Sequence, residues 1–376
     1  MSVPAQSRVA EFRRGNARYV PTARLAAGGM AEVWRGKAEF KDGHIQPIAI
    51  KRVLPGLASN TLYRRMLEDE ARVGMLLRHQ NIVRVYDARE VRGSYILIME
   101  LVDGPSLREL TQQLRDNGMR PSVRAALHIA TELGRALVYT HEAIDDMGRD
   151  LEIVHRDVSP HNVLVSSDGR VKLMDFGLAN SSSNLAERDP GMIGGKFGYL
   201  SPELVLQQQS SHLLDLFALG VVLWETLTGR RLFQGSDDGE TVRNVARCEV
   251  PPASSINPEV PAEVDMLLGA LLTRDPAQRY QSARNLVADL IFVSSLLGPG
   301  DAARETAALV HTVRARKMPP ARPAATQTGS MSNSRASVTT SGTQMPKVAA
   351  ALMEELDLLV EPSQLVIPPL PPGARR

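Results

Sequence analysis

Three side chains that carry oxygen atoms lie close together in the sequence: Asp157, Asn162 and Asp175. The first two fall on a loop after the apolar pair Ile153–Val154. Between Asn162 and Asp175, two short apolar runs flank Ser167–Asp168–Gly169, which is typical of a tight turn because Asp and Gly tolerate positive φ angles. We therefore predict a β-hairpin whose base brings Asn162 and Asp175 side by side.

An amide oxygen and a carboxylate at the base of one hairpin are suited to Mg²⁺. This ion prefers hard oxygen ligands and keeps coordination positions open for phosphate oxygens. Asn162 and Asp175 are therefore candidate metal ligands. Asp157 lies on the same loop, five residues before Asn162, and is a candidate catalytic base. A phosphate-binding metal beside a base predicts a phosphoryl-transfer site.

The composition is that of an ordinary globular protein. The chain has 376 residues, of which 43% are hydrophobic and 23% are charged, so it has room for one large domain or two. The net charge of +2 gives no electrostatic reason to expect nucleic acid as a partner. Cys248 is the single cysteine, which excludes an internal disulfide and fits a reducing compartment.

Neither a signal peptide nor a membrane span is expected from the sequence. Residues 1–20 contain several arginines but no apolar core. The longest apolar run, Leu286–Leu297, is interrupted by Asp289 and two serines, whereas a membrane-spanning helix needs about 20 apolar residues. We expect a soluble, cytoplasmic protein.

The sequence HRDVSPHN at His155–Asn162, followed by Asp175–Phe176–Gly177, resembles the catalytic and metal-binding loops of eukaryotic-like (Hanks-type) serine/threonine protein kinases of bacterial style. Downstream, Ser201–Pro202–Glu203, Asp215 and Arg279 are similar to further family motifs, in the same order. The resemblance implies that Asp157 accepts the proton of a substrate hydroxyl and that Asn162 and Asp175 hold Mg²⁺. It also implies that Glu203 pairs with Arg279.

This resemblance implies an α+β fold, the bilobal protein-kinase fold. The expected kinase domain spans residues 19–298, with a small β-rich N-lobe at 19–101 and a larger α-helical C-lobe at 104–298. Residues 1–18 form a polar N-terminal tail. ATP is then expected to lie between the two lobes.

Residues 299–376 are rich in Pro, Ala, Ser and Thr, which predicts a disordered C-terminal tail. Within it, Val348–Leu359 has apolar residues at helical spacing but is too short to form a stable helix alone. It is a candidate docking segment for a partner.

A glycine pair, Gly28–Gly29, breaks the strand-like start of the chain. The segment lacks the GxxxxGK pattern of a P-loop, and a strand rather than a helix follows, which excludes a dinucleotide fingerprint. In the kinase resemblance it covers the ATP phosphates, although alanine replaces two of the family's glycines, at positions 26 and 31. The residues that the resemblance implies for ATP binding are Leu25, Ala26, Gly28, Gly29, Ala31, Val33, Ala49, Lys51, Met99, Glu100, Val102 and Leu164.

Lys51 ends an apolar strand-like run and is implied to reach the α- and β-phosphates of ATP. A lysine withdrawn from water needs a carboxylate partner. Glu70, on a predicted helix at 64–77, has the family's spacing for that partner, with Glu68 and Asp69 as alternatives.

Two residues depart from the family's pattern at the catalytic centre. Ser159 stands two residues after Asp157, where serine/threonine kinases usually have lysine, and Lys196 stands where they usually have threonine. Because the two residue types are exchanged, we predict that Lys196 supplies the cation and Ser159 the hydroxyl. The alternative is that Lys196 points to solvent and Ser159 hydrogen-bonds Asp157.

The resemblance implies an ATP- and Mg²⁺-dependent kinase that phosphorylates Ser/Thr of protein substrates, including itself at Ser181–Ser183 or Ser337. Two alternatives stay open. One is a pseudokinase-like binding or scaffold protein, and the other is a small-molecule phosphotransferase of related architecture.

Overall fold

The computed structural model describes residues 17–27, 31–53, 61–91, 94–176, 196–209 and 211–317. The chain forms two compact units. Among the described residues, the first unit contains the chain up to Arg64 and Val85–Leu101, and the second contains Arg65–Arg84 and the chain from Val102 onward. Within these ranges, no helix combines the length and apolar character that a membrane crossing requires.

The first unit is a five-stranded antiparallel sheet with the strand order β1-β2-β3-β5-β4. Its strands are β1 (Ala17–Ala27), β2 (Ala31–Phe40), β3 (Ile45–Val53), β4 (Val85–Val91) and β5 (Ser94–Glu100). Alternation along β3 sends Ile48 and Ile50 to one face, where they pack with Trp34, Ile96 and Ile98. The alternate residues Ala49 and Lys51 therefore lie on the opposite face.

The second unit is mainly helical. Helix α1 (Thr61–Leu76) leads into it, and the remaining helices are α2 (Leu107–Asp116), α3 (Val123–His141), α4 (Pro202–Val205), α5 (Leu213–Thr228), α6 (Asp238–Arg247), α7 (Ala262–Leu271), α8 (Ala283–Leu296) and α9 (Ala302–Lys317). Nearly every side chain of α5 is buried, because this helix is apolar on all sides and forms the centre of the core.

Between α3 and α4, the strands β6 (Val163–Val165) and β7 (Val171–Leu173) form the predicted hairpin. Gly169 in its turn has φ +83°, a conformation that favours glycine. The hairpin is attached to the loop after α1, since Asn81 Nδ2 donates to Val171 O at 2.9 Å and Val83 N donates to Leu173 O at 2.9 Å.

Helix α9 corrects the predicted domain boundary at 298. Residues 302–317 fall in the expected disordered tail, yet they form a helix whose Thr306, Val310 and Val313 are buried in the second unit. The Ala-rich sequence has high intrinsic helix propensity, and its apolar face packs against α3. Residues 318–376, with the candidate docking segment Val348–Leu359, lie outside the described residues.

Candidate active site

The carboxylate of Asp157 is the centre of the polar cluster in the second unit. Asn162 Nδ2 donates to Asp157 O and to Asp157 Oδ2, each at 2.8 Å. Lys196 Nζ lies 2.6 Å from the same Oδ2. Among the described residues, none donates to Asp157 Oδ1, and the side chain keeps 20% of its surface exposed. One carboxylate oxygen is therefore fixed by two donors, and the other is free to accept a proton.

Asp215, at the start of α5, is hydrogen-bonded to the loop that carries Asp157. Its carboxylate accepts the backbone N–H groups of His155 and Arg156, both at 2.8 Å, and lies 2.9 Å from His141 Nε2. Burial alone would raise the pKa of the Asp215 carboxyl, but the hydrogen bond and charge of His141 help to hold that pKa below its usual value. A charged Asp215 fixes Arg156 in a left-handed conformation with φ +63°.

His155 connects Asp157, the candidate base, to the segment that carries the candidate metal ligand Asp175. Its Nδ1 accepts from Asp157 N at 3.2 Å, and its Nε2 lies 3.1 Å from Met174 O. Only a neutral ring protonated at Nε2 makes both hydrogen bonds. Burial lowers the pKa of His155, which keeps the ring neutral. The imidazole therefore fixes the separation between Asp157 and the residue that precedes Asp175.

The two predicted metal ligands lie in the segments that flank the base of the hairpin, with the register offset by one residue. Asn162 lies opposite Met174, whose N–H donates to Asn162 O at 2.8 Å, and Asp175 follows with φ +61°. Because Nδ2 of Asn162 faces Asp157, its Oδ1 is turned away, and no described residue donates to it. An amide oxygen that accepts no hydrogen bond from a described residue is open to a divalent metal ion.

The exchanged residues have different surroundings. Lys196 contacts Asp157 and keeps 24% of its side-chain surface exposed, so it does not simply point to solvent. Ser159 is fully buried, and its Oγ has no hydrogen-bond partner among the described residues. The alternative in which Ser159 hydrogen-bonds Asp157 is therefore wrong for this structure.

In the first unit, cross-strand pairing groups several candidate nucleotide-binding residues. Val33 on β2 lies opposite Lys51 on β3, and Ala49 lies opposite Met99 on β5. Opposed residues share a face, so these side chains lie on the face away from the isoleucine core. Leu25 is largely exposed at the end of β1. Ala26 pairs with Val33, Ala31 begins β2 and Glu100 ends β5, whereas Gly28 and Gly29 lie outside the described residues.

The remaining candidates belong to the second unit. Glu70 on α1 is buried, with 7% of its surface exposed, whereas the alternative Glu68 is exposed. For Asp69 the structure describes the backbone only. Val102 is half-buried at the start of the unit, and Leu164 is half-buried on β6. Burial thus separates Glu70 from Glu68 as the carboxylate withdrawn from water.

A buried ion pair anchors the segment that carries Lys196. Arg279 donates to both carboxylate oxygens of Glu203, at 2.9 and 2.7 Å, with side-chain exposures of 0% and 1%. The Arg279 guanidinium also stacks over the ring of Phe217, 4.8 Å from its centroid. This is the pairing that the sequence predicted.

A family model described as the protein kinase domain matches residues 19–291. The chain belongs to the protein kinase family. Its matched region takes in both structural units, from β1 to α8. Protein kinases use ATP and a divalent metal ion, which agrees with the oxygen-bearing side chains predicted to bind metal near the hairpin base.

Curated relatives include bacterial kinases of both residue specificities. Tyrosine-protein kinase MasK of Myxococcus xanthus is 33% identical over 268 residues, which cover 70% of this chain and 41% of MasK. Serine/threonine-protein kinase PrkC of Bacillus subtilis is 32% identical, with coverages of 74% and 41%. Serine/threonine-protein kinase PknL of Mycobacterium tuberculosis is 34% identical, with coverages of 73% and 65%. The chain thus spans about two fifths of the first two relatives.

Sequence reasoning missed one supporting residue of this kinase domain, His141. It ends α3 and is separated from Asp215 by 74 positions, so only the packing of α3 against α5 brings them together. The sequence showed that His141 has no neighbouring metal ligands, but it contained no local signal for a carboxylate partner.

Proposed function

We propose that this chain is an ATP-dependent protein kinase that transfers the γ-phosphate to Ser/Thr hydroxyls of protein substrates, including itself. The observation that carries the proposal is the arrangement at Asp157. Two donors, from Asn162 and Lys196, hold Oδ2 and leave Oδ1 open. In the proposed reaction, Oδ1 orients the substrate hydroxyl and accepts its proton.

Mg²⁺ is the proposed metal, held by the Oδ1 atom of Asn162 and the carboxylate of Asp175. When bound, it would neutralise negative charge on the ATP phosphates. Lys51 is proposed to position those phosphates, with Glu70 as its carboxylate partner. The sheet face that carries Val33, Ala49 and Met99 is proposed to contact the nucleotide, and backbone groups from Glu100 to Val102 to hydrogen-bond adenine.

Lys196 is proposed as the cation that stabilises the transferring phosphoryl group. Its ammonium lies 2.6 Å from the base, and therefore close to where the substrate hydroxyl would sit. A fixed positive charge there acts on the charge that develops in the transition state. Ser159 is proposed as the other half of the exchange; its buried hydroxyl has no hydrogen-bond partner among the described residues.

The preference for Ser and Thr is part of the proposal, because the curated relatives include kinases named for serine/threonine and one named for tyrosine. The sequence VSPHN after Asp157 differs from the AAR and RAA patterns of tyrosine kinases, which favours Ser/Thr. Predicted autophosphorylation sites, Ser181–Ser183 and Ser337, lie outside the described residues.

Transfer from γ-labelled ATP to unstructured protein acceptors, followed by phosphoamino-acid analysis, tests the proposal. We expect phosphoserine and phosphothreonine, and a loss of about 10²–10⁴-fold in the Asp157→Asn variant. Phosphotyrosine alone would contradict the Ser/Thr assignment. ATP binding without transfer to any acceptor would instead support a pseudokinase, and transfer confined to small molecules would support the other alternative.

A further inference from the structure

A cavity of about 230 Å³ adjoins the catalytic loop in the second unit. Its lining includes His161, which directly precedes Asn162, and Phe197, which directly follows Lys196. Asn162 and Lys196 both contact the carboxylate of Asp157. The cavity therefore lies beside the catalytic base, and Gln234 and Ser236 are exposed at its rim.

Two charged residues of the cavity wall neutralise each other. Glu225 Oε2 accepts from Tyr199 OH at 2.7 Å and lies 3.4 Å from Arg231 Nη1, while Oε1 accepts from Leu232 N at 3.1 Å. The Arg231 guanidinium also stacks over the Tyr199 ring, 4.8 Å from its centroid. With both oxygens occupied, Glu225 is a poor site for a cation.

Arg108 is a second positively charged residue in the cavity lining. It lies in the first turn of α2, and its backbone N–H donates to Pro160 O at 2.9 Å, which fixes it against the catalytic loop. Its side chain is half-buried. Its charge acts on Glu225, but no carboxylate among the described residues forms a salt bridge with it. The guanidinium of Arg108 can therefore form an ion pair with a ligand in the cavity.

His161 adjoins Arg108 in the cavity lining, because the Arg108 backbone N–H donates to the carbonyl oxygen of Pro160, the residue directly before His161. The imidazole of His161 offers a ring nitrogen for a hydrogen bond to a ligand in the cavity.

Two acidic residues line the far side of the cavity, Asp237 and Asp238. Asp237 is the N-cap of α6, where its Oδ1 accepts from Glu240 N at 2.7 Å, and Asp238 lies in the first turn of the same helix. The positive end of the helix dipole offsets acidic groups at these positions. They therefore oppose the positive charge of Arg108, and the helix dipole offsets this opposition in part.

We infer that this cavity is a specificity subsite that receives the carboxylate of an Asp or Glu in the protein substrate, with Arg108 as the residue that recognises it. The inference rests on the proposed kinase function. Three residues of extended chain span about 10 Å, so the acidic residue is expected within about three positions of the phosphoacceptor.

The test uses the full chain and synthetic peptides with one serine, in which each flanking position from −3 to +3 carries Asp, Asn or Lys in turn. Asn has nearly the shape of Asp without its charge. At one position, we expect Asp to raise kcat/KM about tenfold over Asn, the effect of one desolvated charge pair. The Arg108→Gln variant is expected to lower this Asp/Asn ratio to about one.

Arg120→Gln is the matched control, because this substitution also removes one positive charge. Arg120 is 38% exposed and does not line the cavity. The variant is expected to keep the Asp/Asn ratio. Phosphorylation with equal rates for Asp and Asn, a preference for Lys, or an unchanged ratio in Arg108→Gln would overturn the inference alone. Failure to transfer phosphate to any protein or peptide would overturn the proposed function as well.

Discussion

Arg314 forms a bidentate ion pair with Asp103, a residue 211 positions earlier in the chain. The two N–O distances are 3.0 and 2.8 Å. Asp103 also accepts from Ser167 Oγ at 3.0 Å, so the last described helix, α9, is attached both to the start of the second unit and to the hairpin turn. Gly169 in that turn approaches α9 so closely that a Cβ atom would lie 2.1 Å from Ala303 O.

Removal of α9 is expected to destabilise the second unit much more than removal of the ion pair. Arg314 and Asp103 are 41% and 54% exposed, and exposed pairs contribute about 1 kcal/mol or less. By contrast, Val310 and Val313 are buried, and each buried valine contributes about 1.5 kcal/mol or more. Urea unfolding of chains that end at 317 and at 300, and of Arg314→Ala in the longer chain, measures both effects.

If the chains that end at 317 and at 300 were equally stable, α9 would not be part of the folded unit. A loss in Arg314→Ala as large as that of the truncation would show that the ion pair, rather than apolar burial, holds the helix.

Lys196→Ala is expected to lower kcat by about 10²–10³-fold, the usual effect of removing one group that stabilises the transition state. The KM for ATP is expected to change much less, because the proposed interaction strengthens only as the phosphoryl group transfers. Lys196→Arg is expected to retain part of the rate, since it keeps the charge. The exposed Lys41 offers a matched control in Lys41→Ala. Near-normal turnover of Lys196→Ala would contradict the proposal.

Local patterns predicted the residues of the site better than the packing that supports them. The Asp-Gly turn signal predicted the hairpin. The reciprocal exchange at Ser159 and Lys196 predicted that Lys196 supplies the cation and Ser159 the hydroxyl, and this stays a prediction. The structure places the Lys196 ammonium on Asp157. The hairpin register could not be predicted to one residue, and Asn162 pairs with Met174 rather than Asp175.

What the sequence could not supply depends on contacts between distant segments. The support of Asp215 by His141 requires α3 to pack against α5. Helix α9 has an alanine-rich, weakly amphipathic sequence that continues without a break from a Pro- and Ser-containing stretch, so composition alone assigned it to a disordered tail. Its order also depends on contacts with the surface of α3 and with the hairpin turn, which residues 302–317 alone do not specify.

Glu203→Gln is expected to destabilise the protein by about 3–5 kcal/mol, because it leaves the buried Arg279 guanidinium without a counter-charge. The exposed pair Arg284–Glu142 is the matched control, with exposures of 68% and 44%. Arg284→Ala is expected to change stability by less than about 1 kcal/mol. Denaturant midpoints of the two variants measure the contrast, and similar midpoints would contradict the assignment of Glu203–Arg279 as a buried structural pair.

Stability is expected to fall as the pH falls below about 6.5, because His155 is buried and neutral. Its pKa lies below the usual value of 6.5, so below that pH the unfolded chain binds a proton that the folded chain does not. The free energy of unfolding then decreases by up to about 1.4 kcal/mol per unit of pH until the folded pKa is reached. Asp215 acts in the same direction at lower pH, because its depressed pKa contributes stability above 3.8 that is lost as the pH falls through the folded value.

Urea unfolding at pH 7, 6 and 5 checks this expectation. His155→Asn removes the titrating group and is expected to reduce the slope of stability against pH, even if it lowers stability at pH 7. His311 on α9 is exposed, so His311→Asn is the control and should leave the slope unchanged. A slope that is the same in His155→Asn as in the parent would mean that another group controls the acid sensitivity. In that case, the neutral His155 ring would not account for the fall in the free energy of unfolding between pH 7 and pH 5.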